Sequence, residues 1–339
     1  MTIQKVKVKN YTVFKDCHLN VSPSVNIFIG ENGTGKTHLL KAIYAACEVT
    51  KDLHFGATKF VEYFTQNAEQ IGLIFNKNSA EDEDINISFS VTDADQVTTS
   101  SSLVSPVSTN SYIFSVPANV KMNAVYIPCK DMLTHSNGFL AMANTYQNFP
   151  FDKTLTDIVA KNSRWKMKTP PVIASSILPV LEEMIDGEVI FENDDFFIKK
   201  RDGRKIIFNI EAEGLKKIGL LWQLLMTNSI AENSILLWDE PEANLNPKFL
   251  PKLVECLLQL SRNGVQIFLS THNYIFAKYF DVLKKDSDKI LYHSLYFDDK
   301  VEGVQVETQP FFQLLQHNDI ADAFNLLLER VYDMQVRGK

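Results

Sequence analysis

Cysteine is scarce in this chain: four residues in 339, with the nearest pair, Cys17 and Cys47, thirty positions apart and no C-x-x-C. That spacing indicates neither a disulfide framework nor a zinc site, and reduced thiols are expected. Long apolar runs are missing too. None approaches the roughly 18 residues that span a bilayer, and Met1-Thr2-Ile3-Gln4-Lys5-Val6-Lys7 lacks the apolar region of a signal peptide. A cytoplasmic protein with no membrane partner is expected. Arginine is equally sparse, and 34 Lys plus Arg face 41 Asp plus Glu for a net charge of −7. No whole-chain argument for nucleic-acid binding survives that balance, so any polyanion contact must be local. What is present, 45% apolar and 11% aromatic residues, suffices for a packed core in two domains or one large α/β unit.

Ile3, Val6, Val8, then Leu19 and Val21, mark two short strands around Asn10–Phe14, a hairpin or β-arch. Val25–Ile29 is a third strand that ends at a glycine-rich turn. From Thr37 to Cys47 the spacing of Leu40, Ile43, Tyr44 and Cys47 is helical. Residues 71–75 and 87–91 read as strands, the Ser/Thr-rich stretch near 97–110 as a mobile loop, and Ala124–Ile127 as a strand. Helices interrupted by Pro150 and Pro170-Pro171 fill about 138–186. Three strands follow at 188–192, 196–200 and 205–210, then a helix at about 215–228. The strand Ile235–Trp238, a helix at 247–262, the strand Val265–Leu269, a helix at 274–285, two strands and a terminal helix from Asp319 complete the chain.

Between the third strand and its helix, Gly30-Glu31-Asn32-Gly33-Thr34-Gly35-Lys36-Thr37 fits G-x-x-x-x-G-K-[ST] in the context that pattern requires. Glycines let backbone N–H groups turn inward as an anion nest, and the helix N-terminus adds positive potential. Lys36 reaches the β- and γ-phosphates, and the Thr37 hydroxyl can ligate Mg²⁺. His38, where the dinucleotide fingerprint would need a third glycine, favours a nucleoside triphosphate over NAD.

Ile235-Leu236-Leu237-Trp238-Asp239-Glu240 delivers two adjacent carboxylates at a strand end. Alternation along a strand would send Asp239 towards Mg²⁺ and Glu240 towards an attacking water, with Glu240 as candidate general base. After one more helix the next strand ends at Ser270-Thr271-His272, which places His272 beside the acidic strand as a candidate γ-phosphate contact.

With these residues the sequence resembles ABC-type ATPases of the OLD, RecF and SMC-like kind. Four motifs match in order: Walker A at 30–37, Walker B with its extra glutamate at 235–240, a D-loop at 243–247 and a switch histidine at 272. The phrase Asp-Glu-Pro-Glu-Ala-Asn-Leu-Asn-Pro and the arch before Walker A are especially similar to OLD-like ATPases. The resemblance implies an α/β P-loop NTPase fold, an ABC-ATPase head with a mixed central sheet, an antiparallel β subdomain and a helical lobe. Residues 1–50 and 235–339 would form the nucleotide-binding lobe, 51–137 a β-rich part of the same head, and 138–234 the helical lobe. ATP and Mg²⁺ are the implied cofactors. Lys36, Glu240 and His272 would be catalytic, residues 30–38 (Gly30 to His38) would hold the nucleotide, and Thr37 and Asp239 the metal. Glu213, Gly214, Lys216 and Asn244 would act in trans across an ATP-sandwich homodimer.

The signature loop departs from the family. Ala212 stands at the usual serine, Glu213 adds a negative charge, and the helix N-terminus or Lys216 would have to replace the lost hydroxyl. Cys129 and Lys130 occupy the place of the Q-loop glutamine after Tyr126-Ile127-Pro128. Tyr11 or Phe14 would stack on adenine or else sit in the core.

Only 203 positions separate Lys36 from Asp239, too few for long coiled-coil arms, and 67 residues follow His272. Asn76-Lys77-Asn78-Ser79 lacks the aspartate of a guanine-specific Asn-Lys-x-Asp. No fused hydrolase, metalloprotease or ribonuclease motif occurs, and Asp286-Ser287-Asp288 reads as a solvated turn. The implied function is an ATP-hydrolysing switch subunit for a separately encoded effector, a nuclease in antiphage systems such as Septu. The alternatives are a non-hydrolytic ATP-dependent scaffold and a DNA-repair or transporter-type subunit. Lys161, Arg164, Lys166 and Lys168 around Trp165 offer a nucleic-acid contact, with an ordinary solvated surface as the competing reading.

Overall fold

Val25–Gly30, Ser234–Asp239 and Gln266–Ser270 are buried at every position. Apolar runs of this kind, with no polar alternation, fit strands covered on both faces. They become β3, β11 and β12 of a chain for which the computed structural model describes residues 1–51, 62–64, 85–93, 96–104, 112–115, 121–146 and 149–337. Before the parallel core completes itself come β1 (Thr2–Tyr11), β2 (Phe14–Asn20), β3, α1 (Lys36–Val49), β4 (Ile85–Asp93), β5 (Gln96–Val104), β6 (Tyr112–Ser115) and β7 (Asn123–Ile127). The middle of the chain supplies α2 (Phe139–Thr145), α3 (Lys153–Asn162), α4 (Leu178–Ile185), β8 (Gly187–Glu192), β9 (Asp195–Lys200), β10 (Lys205–Ile207) and α5 (Glu213–Met226). After β11 follow α6 (Leu250–Arg262), β12, α7 (Tyr274–Leu283), β13 (Ile290–Asp298), β14 (Val301–Gln309) and α8 (Asp319–Arg337).

The six-stranded central sheet runs β14-β13-β3-β12-β11-β7, parallel except for β14 at its edge. Strand alternation sorts its side chains into two cores. Ile27, Ile29, Leu236, Trp238, Ile267 and Leu269 join the helical side, whereas Phe28, Ile235, Leu237 and Phe268 pack against α1 and the N-terminal sheet. That second sheet is antiparallel, in the order β2-β1-β4-β5-β6, and β10-β9-β8 form a separate meander. Side-chain oxygens cap two helices: Asp152 accepts from the Thr154 amide at α3, and Asn273 from the Phe276 amide at α7. Among the described residues no helix is long and apolar enough to cross a membrane.

Among the described residues the expected order of elements is found, with four differences, the first being strand β6, which the sequence pattern did not place. The mobile loop expected near 97–110 is strand β5 up to Val104, paired along β4. Its Ser/Thr content suits an antiparallel strand as well as a loop, and composition alone did not separate them; positions 105–110 lie outside the described residues, as does the strand expected at 71–75. The strand expected over 205–210 stops at Ile207 and turns into a 3₁₀ helix, Phe208–Ile210. The Asp286-Ser287-Asp288 turn is only partly solvated, because Asp288 forms a two-pronged ion pair with Arg262.

One buried amide ties the two sheets together. The Gln266 side chain accepts from the Ile3 amide at 2.8 Å and donates to the Ile3 and Ser22 carbonyls at 2.8 and 2.7 Å. Removing the amide from this solvent-free site would strand backbone groups at about 1–3 kcal/mol each. Gln266→Leu should therefore destabilise the chain by about 3 kcal/mol, read as a lower urea midpoint; an unchanged midpoint would contradict the tie.

Candidate functional site

β3, β12 and β11 are neighbours in the sheet and run parallel, so Gly30, Ser270 and Asp239 end side by side at its carboxyl edge. Ligand sites in open α/β sheets form at such edges. Gly30 takes φ 138°, and a Cβ there would lie 2.1 Å from the Leu295 carbonyl oxygen, so only glycine lets the chain leave β3. The loop continues through exposed Glu31, Asn32 and Gly33 and buried Thr34, whose hydroxyl donates to the Glu31 carbonyl at 2.8 Å. Gly35, in the left-handed region at φ 88°, caps α1 and rests on Val13 and Phe14 of the arch. The Lys36 ammonium folds back onto the loop, donating to the Gly30 and Glu31 carbonyls at 2.9 and 2.7 Å. Burial pulls Lys36 down to about 8, opposed by Asp239, Glu240 and Glu31.

Asp239 is where four elements meet. Thr37 of α1 donates to its Oδ2 at 2.8 Å, Ser270 at the end of β12 donates to its Oδ1, and the Tyr126 hydroxyl of β7 is also bonded to it. Thr37 and Asp239 thus present adjacent hard oxygen donors, the kind of set that suits Mg²⁺, which keeps waters and takes one or two protein oxygens plus phosphate.

Beyond Asp239 the strand pattern stops. Glu240 adopts φ 49°, a left-handed backbone that is uncommon outside glycine. A left-handed turn, not the strand alternation expected from the sequence, therefore aims its side chain. Its amide is held by the Ser270 carbonyl at 3.1 Å, and its carbonyl accepts from Lys217 at 2.7 Å. The carboxylate lies 3.6 Å from His272 Nε2 on one side, and on the other accepts from the Cys129 thiol at 3.3 Å. Burial, assisted by Glu240, raises that thiol to about 11 against the pull of Lys217. His272 is lowered by burial and by Lys36, against Glu240, Asp239 and a hydrogen bond to the Gly30 carbonyl.

Together Asn32, Gly33, Gly35, Lys36, Thr37, His38, Asp239, Glu240 and His272 line a cleft of about 250 Å³. Larger hollows of about 460 and 690 Å³ lie beside α2 and α3 and beside the α7–β13 connection. The small cleft is the candidate site, because it alone of these gathers a phosphate-type loop, a cation and convergent carboxylates.

The residues expected to act in trans do not line this cleft. Gly214 packs onto the turn that carries Asn244, where a Cβ would lie 2.5 Å from the Asn244 carbonyl oxygen. Ala212 and Glu213 at the start of α5, and Asn244 itself, are exposed. Lys216 is buried and its ammonium meets Glu213 at 2.6 Å, so it is not free to stand in for the missing serine, and it offsets the Glu213 charge. Tyr11 and Phe14 belong to the core, both fully buried, and are not placed for adenine stacking. The basic stretch around Trp165 is halved. Lys161 is buried against Tyr44 and Glu48, and Lys166 donates to the Val189 carbonyl and lies over Trp222.

An AAA ATPase domain model matches residues 1–171, just over half of the chain. The chain belongs to the AAA ATPase domain family. A second AAA domain model, described with a proposed AbiEii toxin, Type IV TA system link, matches residues 136–277. Among relatives, the DNA replication and repair protein RecF of Bacillus cytotoxicus is 30% identical over 88 residues, 26% of this chain and 24% of that protein. RecF of Streptococcus agalactiae is 33% identical over 89 residues, with 26% and 24% covered. The match thus spans about a quarter of the length of these two RecF proteins. In structure it is similar to an Smc head bound to the C-winged helix domain of ScpA, with TM-score 0.59 and 14% identity over 93% of this chain and 99% of that one. It is also similar to the Pyrococcus furiosus Smc head with an extended coiled coil, bound to the C-terminal domain of ScpA, at TM-score 0.56 and 13% identity over 97% and 99%. These likenesses establish an SMC-head-like P-loop fold for this member of the AAA ATPase domain family. Such families generally hydrolyse ATP with Mg²⁺.

Sequence reasoning passed over Glu242, which is buried at 7% exposure, accepts from the Thr271 hydroxyl at 2.5 Å and has no partner for Oε2 among the described residues. Burial pushes it up to about 7, against the Thr271 bond. Its place in the Asp-Glu-Pro-Glu phrase was the available signal. Its folded value lies above the ordinary carboxylate one, so its protonated form favours folding and the contribution is lost as pH rises from about 4.5 to 7. Relative to the parent, Glu242→Gln should therefore gain up to about 3 kcal/mol across that window, measured by urea melts at pH 4.5 and 7.5; a pH-independent difference would refute the assignment.

Proposed function

We propose that the chain binds ATP with Mg²⁺ in the cleft at the end of β3, hydrolyses it, and uses the cycle to switch a separately encoded effector. The observation that carries this reading is the convergence of Lys36, Thr37, Asp239, Glu240 and His272 on one cleft. In it, backbone amides of Gly30 to Thr37 and the start of α1 cradle the phosphates, and Lys36 leaves the loop carbonyls to meet them. Thr37 and Asp239 would hold Mg²⁺, which supplies charge neutralisation on the β- and γ-phosphates. Glu240 takes a proton from the attacking water, while His272 orients the γ-phosphate end.

A homodimer with ATP between the heads is the second element of the proposal. The exposed start of α5 and the exposed Asn244 turn form one surface joined through Gly214, which supports a shared trans contact. Opening and closing of that dimer would govern the effector. We take the effector to be a nuclease of an OLD-like, Septu-type antiphage system; the toxin–antitoxin link of the second family model is in keeping with a head that serves a partner. The observation that favours the non-hydrolytic scaffold instead is the Cys129 thiol bound to Glu240 where the family has a glutamine.

Phosphate release and light scattering with and without ATP and Mg²⁺ separate the two. Glu240→Gln should lower turnover by about 10²–10⁴-fold and keep the ATP-dependent doubling of mass. Turnover equal to wild type would remove Glu240 as the base, and a wild-type chain that dimerises without turnover would establish the scaffold. Lys36→Ala should weaken ATP binding in a nucleotide titration, and wild-type affinity there would count against the loop assignment.

A further inference from the structure

The turn after β11 and the end of β12 each carry residues assigned above to the nucleotide, and one side chain joins them. Glu242 lies midway between Glu240 and Asn244, inside a tight turn closed by the Ala243 amide on the Glu240 carbonyl and the Leu245 amide on the Glu242 carbonyl. Its carboxyl crosses to the next strand end, where the Thr271 hydroxyl donates to it at 2.5 Å. Thr271 is fixed in turn: its amide donates to the Phe28 carbonyl at 3.0 Å, just before the phosphate loop, and its hydroxyl accepts from the Asn273 amide at 2.9 Å. Thr271 is immediately followed by His272. On the far side of the turn, Asn244 and Leu245 press on Gly214 at the start of α5.

A carboxyl group is a costly choice for this place. It is shut away from solvent, and Oε2 has no partner among the described residues. Burying a polar group so incompletely satisfied works against stability, and an apolar side chain of similar size would avoid that cost. Its presence here fits a positional task. We propose that Glu242 is a positioning residue whose bond to Thr271 latches the Glu240–Asn244 turn to the His272 strand end, so that γ-phosphate contact at His272 and the exposed Asn244 surface move as one unit. This rests on the hydrolytic reading for its consequence in turnover, and on geometry alone for its coupling.

The charged groups facing Glu242 are Lys217 from α5 and Glu240 from its own turn; Thr271, just past the end of β12, faces it as a neutral donor. Lys217 is engaged with the Glu240 carbonyl and is not a direct partner of the latch. Proton loss from Glu242 near neutral pH leaves the Thr271 bond charge-assisted and therefore tighter. Turnover is accordingly expected to rise through pH 7 by a step that Glu242→Gln lacks.

The test uses the full chain with Thr271→Val, Thr271→Ser, Glu242→Ala and the Glu242→Ala/Thr271→Val double variant. Phosphate release should fall at least 10-fold in kcat for Thr271→Val and for Glu242→Ala, with KM for ATP within 2-fold, while Thr271→Ser restores wild-type kcat. The double variant should be no slower than the slower single one, as expected for two halves of one interaction. Additive losses, or an unchanged kcat in Thr271→Val, would overturn the latch. Deuterium exchange covers the case in which wild type shows no turnover and the hydrolytic reading fails. ATP should then protect amides 242–246 together with 271–274 in wild type, and only 271–274 in Thr271→Val; joint protection in both proteins would overturn the latch independently of hydrolysis.

Discussion

The carboxylate of Asp239 is the point on which the structure turns. A charge placed at the end of an all-buried strand is tolerable only if its oxygens are satisfied, and here the donors are hydroxyls from α1, β12 and β7. Each comes from a different element, so satisfying the carboxylate requires those elements to be in register. That register sets the ends of β3, β12 and β11 side by side, which in turn fixes where the phosphate loop, Glu240 and His272 face one another. Replacing one donor changes more than one hydrogen bond, since it loosens the agreement between strands from which the cleft is made.

Much of this was legible in the sequence because its signals are local. The Gly30–Thr37 loop between strand and helix, the apolar run ending at Asp239-Glu240, and the strand ending at His272 each announce themselves within ten residues. The sheet order follows from them only with the parallel topology. What escaped is what long-range contact decides. Gln266 reads as the first residue of a strand, yet its amide serves the backbone of Ile3, 263 positions away. Lys161 and Lys166 read as a basic surface with Trp165, but α3 and its following turn fold both cations inward and leave the indole outside, at 97% exposure. The aim of Glu240 was read from strand alternation, whereas a left-handed residue sets it.

The departures from the family pattern acquire physical content in the fold. Glu213, a repulsive charge in the sequence, is balanced by Lys216 within the same helix turn, and the Lys216 ammonium is thereby committed. Cys129, at the place where the resemblance implies a glutamine, reaches Glu240 directly with its thiol. A thiol is a weak donor, so this contact restrains Glu240 only lightly. The fold brings the cleft side chains together at one sheet edge, with Glu240 restrained by a thiol and Glu213 offset by Lys216.

The floor of the phosphate loop is made by Val13 and Phe14 under Gly35, whereas its walls come from Asp239, Ser270 and His272. During synthesis at about 5–20 residues per second, the loop and its floor emerge many seconds before the walls exist. Throughout that interval the nascent chain carries a glycine-rich loop without the Asp239 carboxylate that holds Thr37 in place. Competence for nucleotide therefore arrives late and all at once, when the segment around residue 270 docks between β3 and β11, and a chain interrupted before that point has the motif without the site.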